Sequence, residues 1–172
     1  AAGVPTLTNP VLAAGAIFAI FFAARRLWPE DPSAALLAVV FLLSSPQFLL
    51  TSMSWYAMPA HLFLNALWLA CALSHRRVIV AAAPWLGGCA LLLHQPVPHA
   101  LFVAPFVLRM LRERRFALLA YWGLVYGAFA SAGIALLRFA ASRWEGGEVF
   151  RRFGFFTISE AFTLQGSNAA IL

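Results

Sequence analysis

Four blocks of this chain contain no acidic or basic side chain: residues 1–24, 32–75, 78–108 and 116–137. A helix needs roughly 20 apolar residues to cross the hydrocarbon of a bilayer. Each block is therefore long enough for one crossing, and the middle two, at 44 and 31 residues, are read as two crossings each, the later pair short. Hydrophobic residues make up 63% of the chain and charged residues 10%. An ordinary soluble domain has roughly 45–50% and about 25%, and it could not hide so much apolar surface. The pattern predicts an all-α, polytopic transmembrane helix bundle of about six spans.

The punctuation between the blocks places the spans. Asn9-Pro10 reads as a helix entry, Asn as cap and Pro in the first turn. The first span is predicted over 10–27, ending at Arg25-Arg26 before the turn Trp28-Pro29-Glu30-Asp31-Pro32. Ser33 can cap a second span over 34–50, with a kink or a broken end at Pro46. The third is predicted over 60–74, closed by His75-Arg76-Arg77. The fourth covers 78–93 and is interrupted by Pro84 and Gly87-Gly88. His94-Gln95-Pro96-Val97-Pro98-His99 reads as a proline-bracketed turn. The fifth span covers 100–110, with Pro105 in its middle, and the sixth 116–137. Several of these are short, and they must borrow flanking residues or sit among longer neighbours.

All twelve basic residues are arginines, and eight of them follow spans one, three and five. The positive-inside rule makes those loops cytoplasmic. The His94–His99 turn, the Ser54-Trp55-Tyr56 loop and the tail then lie on the outer face. Charge at span ends also argues for membrane orientation over nucleic-acid binding. The tail, 139–172, mixes Arg143, Glu145, Glu148, Arg151, Arg152 and Glu160 with Trp144, Phe150, Phe153, Phe155 and Phe156. It reads as an interfacial C-terminal segment. Trp55 and Tyr56 fit an aromatic belt. Cys71 and Cys89 fall in apolar stretches and read as small buried hydrophobes. The chain opens without Met and ends in Ala169-Ala170-Ile171-Leu172, which predicts a piece of a longer protein.

Polar chemistry is sparse. His61, His94 and His99 map to the outer ends of spans. They read either as interfacial histidines bonded to loop backbone or as phosphate-binding or general-base groups; the spacing of His94 and His99 matches no strong metal motif. Arg138 and Arg143 are candidates for phosphate contacts, with headgroup anchoring as the plainer alternative. Asn65, inside the third span, is expected to bond a neighbouring helix. No span holds a carboxylate, so a proton relay or cation pathway has no anchor.

One ordering of features has a familiar look. An Asn-Pro entry leads to a span ending in a basic pair, then a span closing on Ser44-Ser45-Pro46-Gln47-Phe48-Leu49-Leu50. The Met53–His61 outer loop and a Leu62–Ser74 span ending in Arg76-Arg77 follow. A Gly87-Gly88 span, a short outer turn and a Pro105 span ending in an arginine cluster complete it. This order resembles the GT-C superfamily of membrane glycosyltransferases, in particular bacterial relatives of the protein mannosyltransferase and lipid A aminoarabinose transferase type. The resemblance implies a bacterial inner-membrane enzyme. Such an enzyme takes a sugar from a polyprenyl-phosphate carrier at the outer face and passes it to an acceptor. It also implies a catalytic acid in the first outer loop. The first span here resembles the family's second, so that acid is expected upstream of Ala1. Where many relatives have a basic residue in the outer turn, this chain has His94-Gln95-Pro96. The candidate substrate-binding set, read from the residues themselves, is His61, His94, His99, Arg138 and Arg143. The implied partners are a lipid-linked donor, membrane lipids and an acceptor. Some branches use a divalent metal, which no residue here calls for; no cofactor is expected. A transporter or flippase, and a non-catalytic membrane scaffold, are the alternative functions.

Overall fold

The computed structural model describes residues 4–53, 57–93 and 96–143. These form seven helices: α1 (Val4–Leu27), α2 (Pro32–Leu43), α3 (Pro46–Ser52), α4 (Met58–Ala72), α5 (Arg77–Leu93), α6 (Pro96–Arg112) and α7 (Phe116–Arg143). The described residues contain no strand. By length and composition, two helices can cross a membrane, at Leu7–Leu27 and Phe116–Leu136. A third candidate arises if α2 and α3, bent by 68° at their junction, count as one broken span. The expectation of six spans is therefore met only in part. Helices α4, α5 and α6 are apolar but have only 15, 17 and 17 residues. At 1.5 Å per residue they reach about 22–26 Å, less than the roughly 30 Å of hydrocarbon.

Proline accounts for most differences from the expected boundaries. Pro10 does not open α1; the helix starts at Val4 and runs through it. Pro84 and Pro105 likewise lie inside continuous helices. Each removes one backbone hydrogen bond, a loss membrane helices absorb when packed against neighbours, and Pro84 is fully buried against them. The expected turn at 94–99 ends early, because Pro96 and Pro98 occupy the first turn of α6. The N–H groups of a first turn have no intrahelical acceptor, so proline loses nothing there. Pro46 does break the chain as expected. It forces Ser45 into extended backbone, with φ −79° and ψ 113°, and the Ser45 hydroxyl accepts from Phe48 N–H to cap α3. Asp31, in place of Ser33, caps α2: its carboxylate accepts from Ser33 N–H at 2.9 Å and also from the Ser33 hydroxyl.

Cross-helix pairs fix the directions. Gly15 of α1 abuts Phe63 of α4, and the Arg26 charge acts on Cys71, so these helices are parallel. Asn65 meets His99, and Trp68 meets Phe102 and Phe106, so α4 and α6 are parallel. On α5 and α7, Trp85 bonds Tyr121, Gly88 abuts Phe129, and Leu92 lies beside Gly133. Those two helices run together, and α5 returns from α4 through the short Leu73–Arg76 turn. The ends of α1, α4 and α6 thus gather at one end of the bundle, bringing Arg25, Arg26, Arg76, Arg77, Arg109, Arg112, Arg114 and Arg115 with them. The core between α4, α5, α6 and α7 is built on Trp68, Ala83, Val103, Met110 and Trp122.

Candidate functional site

One polar cluster lies within this apolar bundle, toward the end opposite the arginine turns, with His99 buried and His61, Asn65 and Tyr126 half-buried. His61 and His99 are each the fourth residue of their parallel helices, α4 and α6. Asn65 lies one turn further along α4 from His61, and Tyr126 reaches across from α7. The four side chains form one line. Tyr126 Oη stands 3.0 Å from His99 Nε2, and His99 Nδ1 is 2.6 Å from Asn65 Oδ1. Asn65 Nδ2 lies 3.2 Å from His61 Nε2 and 2.8 Å from the His61 backbone oxygen.

The backbone contact orients the whole line. A carbonyl oxygen only accepts, so the amide nitrogen of Asn65 must face His61. The amide oxygen then faces His99 and also only accepts, so His99 Nδ1 carries the proton. In the neutral ring, Nε2 of His99 is an acceptor and Tyr126 donates to it. The remaining amide hydrogen of Asn65 points at Nε2 of His61, which makes that nitrogen an acceptor and puts the His61 proton on Nδ1. Every link is satisfied in one direction, from Tyr126 through His99 and Asn65 to His61.

The surroundings are aromatic and tight. His99 is only 2% exposed. Its ring meets Trp68 edge-on at 5.7 Å, and Trp68 in turn meets Trp122, Phe102 and Phe106. The indole N–H groups of Trp68 and Trp122 are buried without a well-formed hydrogen bond; that of Trp68 interacts with the Tyr126 hydroxyl without reaching good geometry. Gly87 of α5 forms the back wall. A Cβ built there would lie 2.0 Å from Tyr126 Oη and 2.7 Å from His99 Nε2, so only glycine leaves room for the tyrosine–histidine pair.

Among the expected site residues, the structure brings His61 and His99 together through Asn65. Asn65 bonds a neighbouring helix, as its position in an apolar span predicts. His94 lies outside the described residues, as do the Ser54-Trp55-Tyr56 loop and the tail from Trp144 onward. Arg138 is exposed on α7 at the same end as the histidines, and Arg143 is the last residue of that helix, so both extend the helix where a tail was expected to begin. Arg138 does not join the polar line. Tyr126, Trp68 and the cavity-forming role of Gly87 carried no signal beyond an aromatic or a glycine in an apolar block. Among the described residues no three His, Cys, Asp or Glu side chains gather as a metal site.

Comparison with family models, with curated proteins and with solved structures returns no match.

Proposed function

We propose that this chain forms membrane-embedded machinery of a GT-C type glycosyltransferase, which takes a sugar from a polyprenyl-phosphate carrier and passes it to an acceptor at the outer face. The observation that carries this reading is the largely buried His61–Asn65–His99–Tyr126 line, set away from the arginine turns. Ionisable side chains inside a membrane bundle mark functional sites by default. Helices α4 to α6 fall short of the hydrocarbon by about 4–8 Å, so the headgroup layer dips toward the first turns that carry the two histidines. A carrier phosphate lies in that layer. His61, half-buried at the rim, contacts it, while Asn65, His99 and Tyr126 hold the His61 ring in place. Arg138 adds positive charge at the same end. The acceptor must lose a proton, which calls for a carboxylate. Glu30, Asp31 and Glu113 all belong to the arginine end, so in this reading the acid comes from outside the described helices.

A transporter draws its support from the α2–α3 break, since transporters bind solutes at broken helices. Here the hydroxyls at the break are satisfied within their own chain: Ser44 donates to Val40 O at 2.7 Å, and Ser45 caps α3. The transferase reading is therefore preferred.

The test is transfer of a radiolabelled sugar from a polyprenyl-linked donor in membranes expressing the full reading frame. His61→Ala is expected to raise the donor KM by about 10–100-fold, the worth of a hydrogen bond to a charged group. Transfer unchanged in His61→Ala, or solute uptake into proteoliposomes without any transfer, overturns the proposal.

A further inference from the structure

At the arginine end, α6 closes with a Schellman motif. Arg114 N–H bonds Leu111 O at 3.1 Å, and Arg115 N–H bonds Met110 O at 2.9 Å. This motif needs a left-handed residue just past the helix, a position glycine takes without strain. The chain places Arg114 there, at φ 54°. It is the one non-glycine residue with positive φ among those described. A cation is thus held where glycine would be more comfortable.

Glu113 occupies the centre of the same turn. One of its oxygens accepts from Arg109 Nε and the other from Arg115 Nε, both at 2.7 Å. Both oxygens are engaged, and among the described residues Arg112 and Arg114 have no carboxylate partner. Beside them lies an open groove of about 310 Å³, lined by Pro105, Leu108, Arg109, Arg112 and Glu113. Pro105 and Leu108 form an apolar rung; Arg109 and Arg112 form a basic rung one turn nearer the helix end. Leu101, 71% exposed, and Leu108, 55% exposed, continue the apolar face away from the arginines.

We propose that this groove holds one anionic phospholipid, its phosphodiester between Arg109 and Arg112, Arg114 closing the rim, and an acyl chain along Leu108, Pro105 and Leu101. Guanidinium forks match phosphate oxygens, and the apolar face below them matches a lipid chain. Charge decides between headgroups. The eight arginines at this end stand against Glu30, Asp31 and Glu113, and Glu113 is already bridged. A zwitterionic lipid would bring a further cation into that surplus, whereas an anionic lipid brings none. The site needs only the membrane placement of the bundle and is independent of the sugar-transfer reading.

The experiment uses the full chain in nanodiscs of phosphatidylcholine containing a minority of phosphatidylglycerol, with retained lipid counted by native mass spectrometry. Preferential retention of phosphatidylglycerol is expected. Arg112→Gln should lower the preference about fivefold, the worth of one arginine at an anionic surface, and Arg112→Lys should keep part of it. Arg114→Gly should lower the preference while raising Tm by about 2–4 °C through relief of the left-handed strain. These opposite signs separate loss of a contact from loss of fold. Equal retention of the two lipids by the unmodified chain overturns the proposal. So does a preference that survives Arg114→Gly together with Arg112→Gln, or with Arg112→Lys should the glutamine variant not fold.

Discussion

His99 Nδ1 and Asn65 Oδ1 meet at 2.6 Å between α6 and α4, two parallel helices whose interface is otherwise mostly apolar. His99, 2% exposed, cannot turn to water. Removing the amide alone leaves a buried N–H unsatisfied, which costs about 1–3 kcal/mol. Removing both groups leaves nothing unsatisfied at this contact. Asn65→Leu and His99→Leu should therefore each destabilise the bundle, and the double variant should lose less than the sum, with a coupling of about 0.6–2 kcal/mol. Unfolding by denaturing detergent gives all four corners of the cycle. Strict additivity would mean that the contact contributes nothing to the packing of α4 on α6.

Gly87 offers a sharper steric test. An alanine methyl would fall 2.0 Å from Tyr126 Oη, and that oxygen is pinned between His99 and the α5 backbone. Overpacking of this kind costs about 1–3 kcal/mol. Gly87→Ala should displace Tyr126 and break its bond to His99. Adding Tyr126→Phe removes the clashing atom, leaving the ring carbon at 2.8 Å, and should recover part of the lost stability. The thermal midpoints of the single and double variants decide it.

These residues show what could and could not be read in advance. The long uncharged blocks place the helices, the arginines mark one end, and a lone amide in an apolar span announces a partner on another helix. Pro46 stops a helix as expected because a serine cap stands ready beside it. Pro96 and Pro98 mislead because a first helical turn and a loop tolerate proline equally well. The misreading matters, since it leaves His99 in a turn, whereas the helix carries it to within reach of Asn65. Tyr126 was not legible at all: its role comes from the pairing of α6 with α7 and from the missing side chain at Gly87, and neither is encoded locally. The number of spans was less legible, because helices of 15 and 17 residues carry the same apolar composition as full spans.

Gly123 and Gly127 give the opposite expectation from Gly87. Both lie within α7, and a Cβ at either meets no atom within 4 Å. Glycine in a helix interior costs roughly 0.5–1 kcal/mol relative to alanine. Gly123→Ala and Gly127→Ala should each stabilise the isolated chain by about that amount. The measurement is the thermal midpoint in detergent at low protein concentration. A loss of stability at either position would mean that this face of α7 is covered and not open.

The last expectation concerns acid. Hydrogen bonds from the Ser33 side chain, and then from its backbone, hold the Asp31 carboxyl below its ordinary value of 3.8. The Arg109 hydrogen bond does the same for Glu113 against 4.5. A carboxyl depressed in the folded state favours folding wherever it is ionised. That contribution is complete above the ordinary carboxylate range and is lost as the pH falls through the depressed values. Stability should therefore decline on acidification across that window. Asn is as good a helix cap as Asp but does not titrate. Asp31→Asn should keep α2 capped at neutral pH and make the acid slope shallower. Glu113→Gln should flatten the slope similarly, while also freeing Arg109 and Arg115. Thermal melts followed by circular dichroism at stepped pH provide the slopes, and an acid limb as steep in Asp31→Asn as in the unmodified chain would show that the cap carries no ionisation-linked stability.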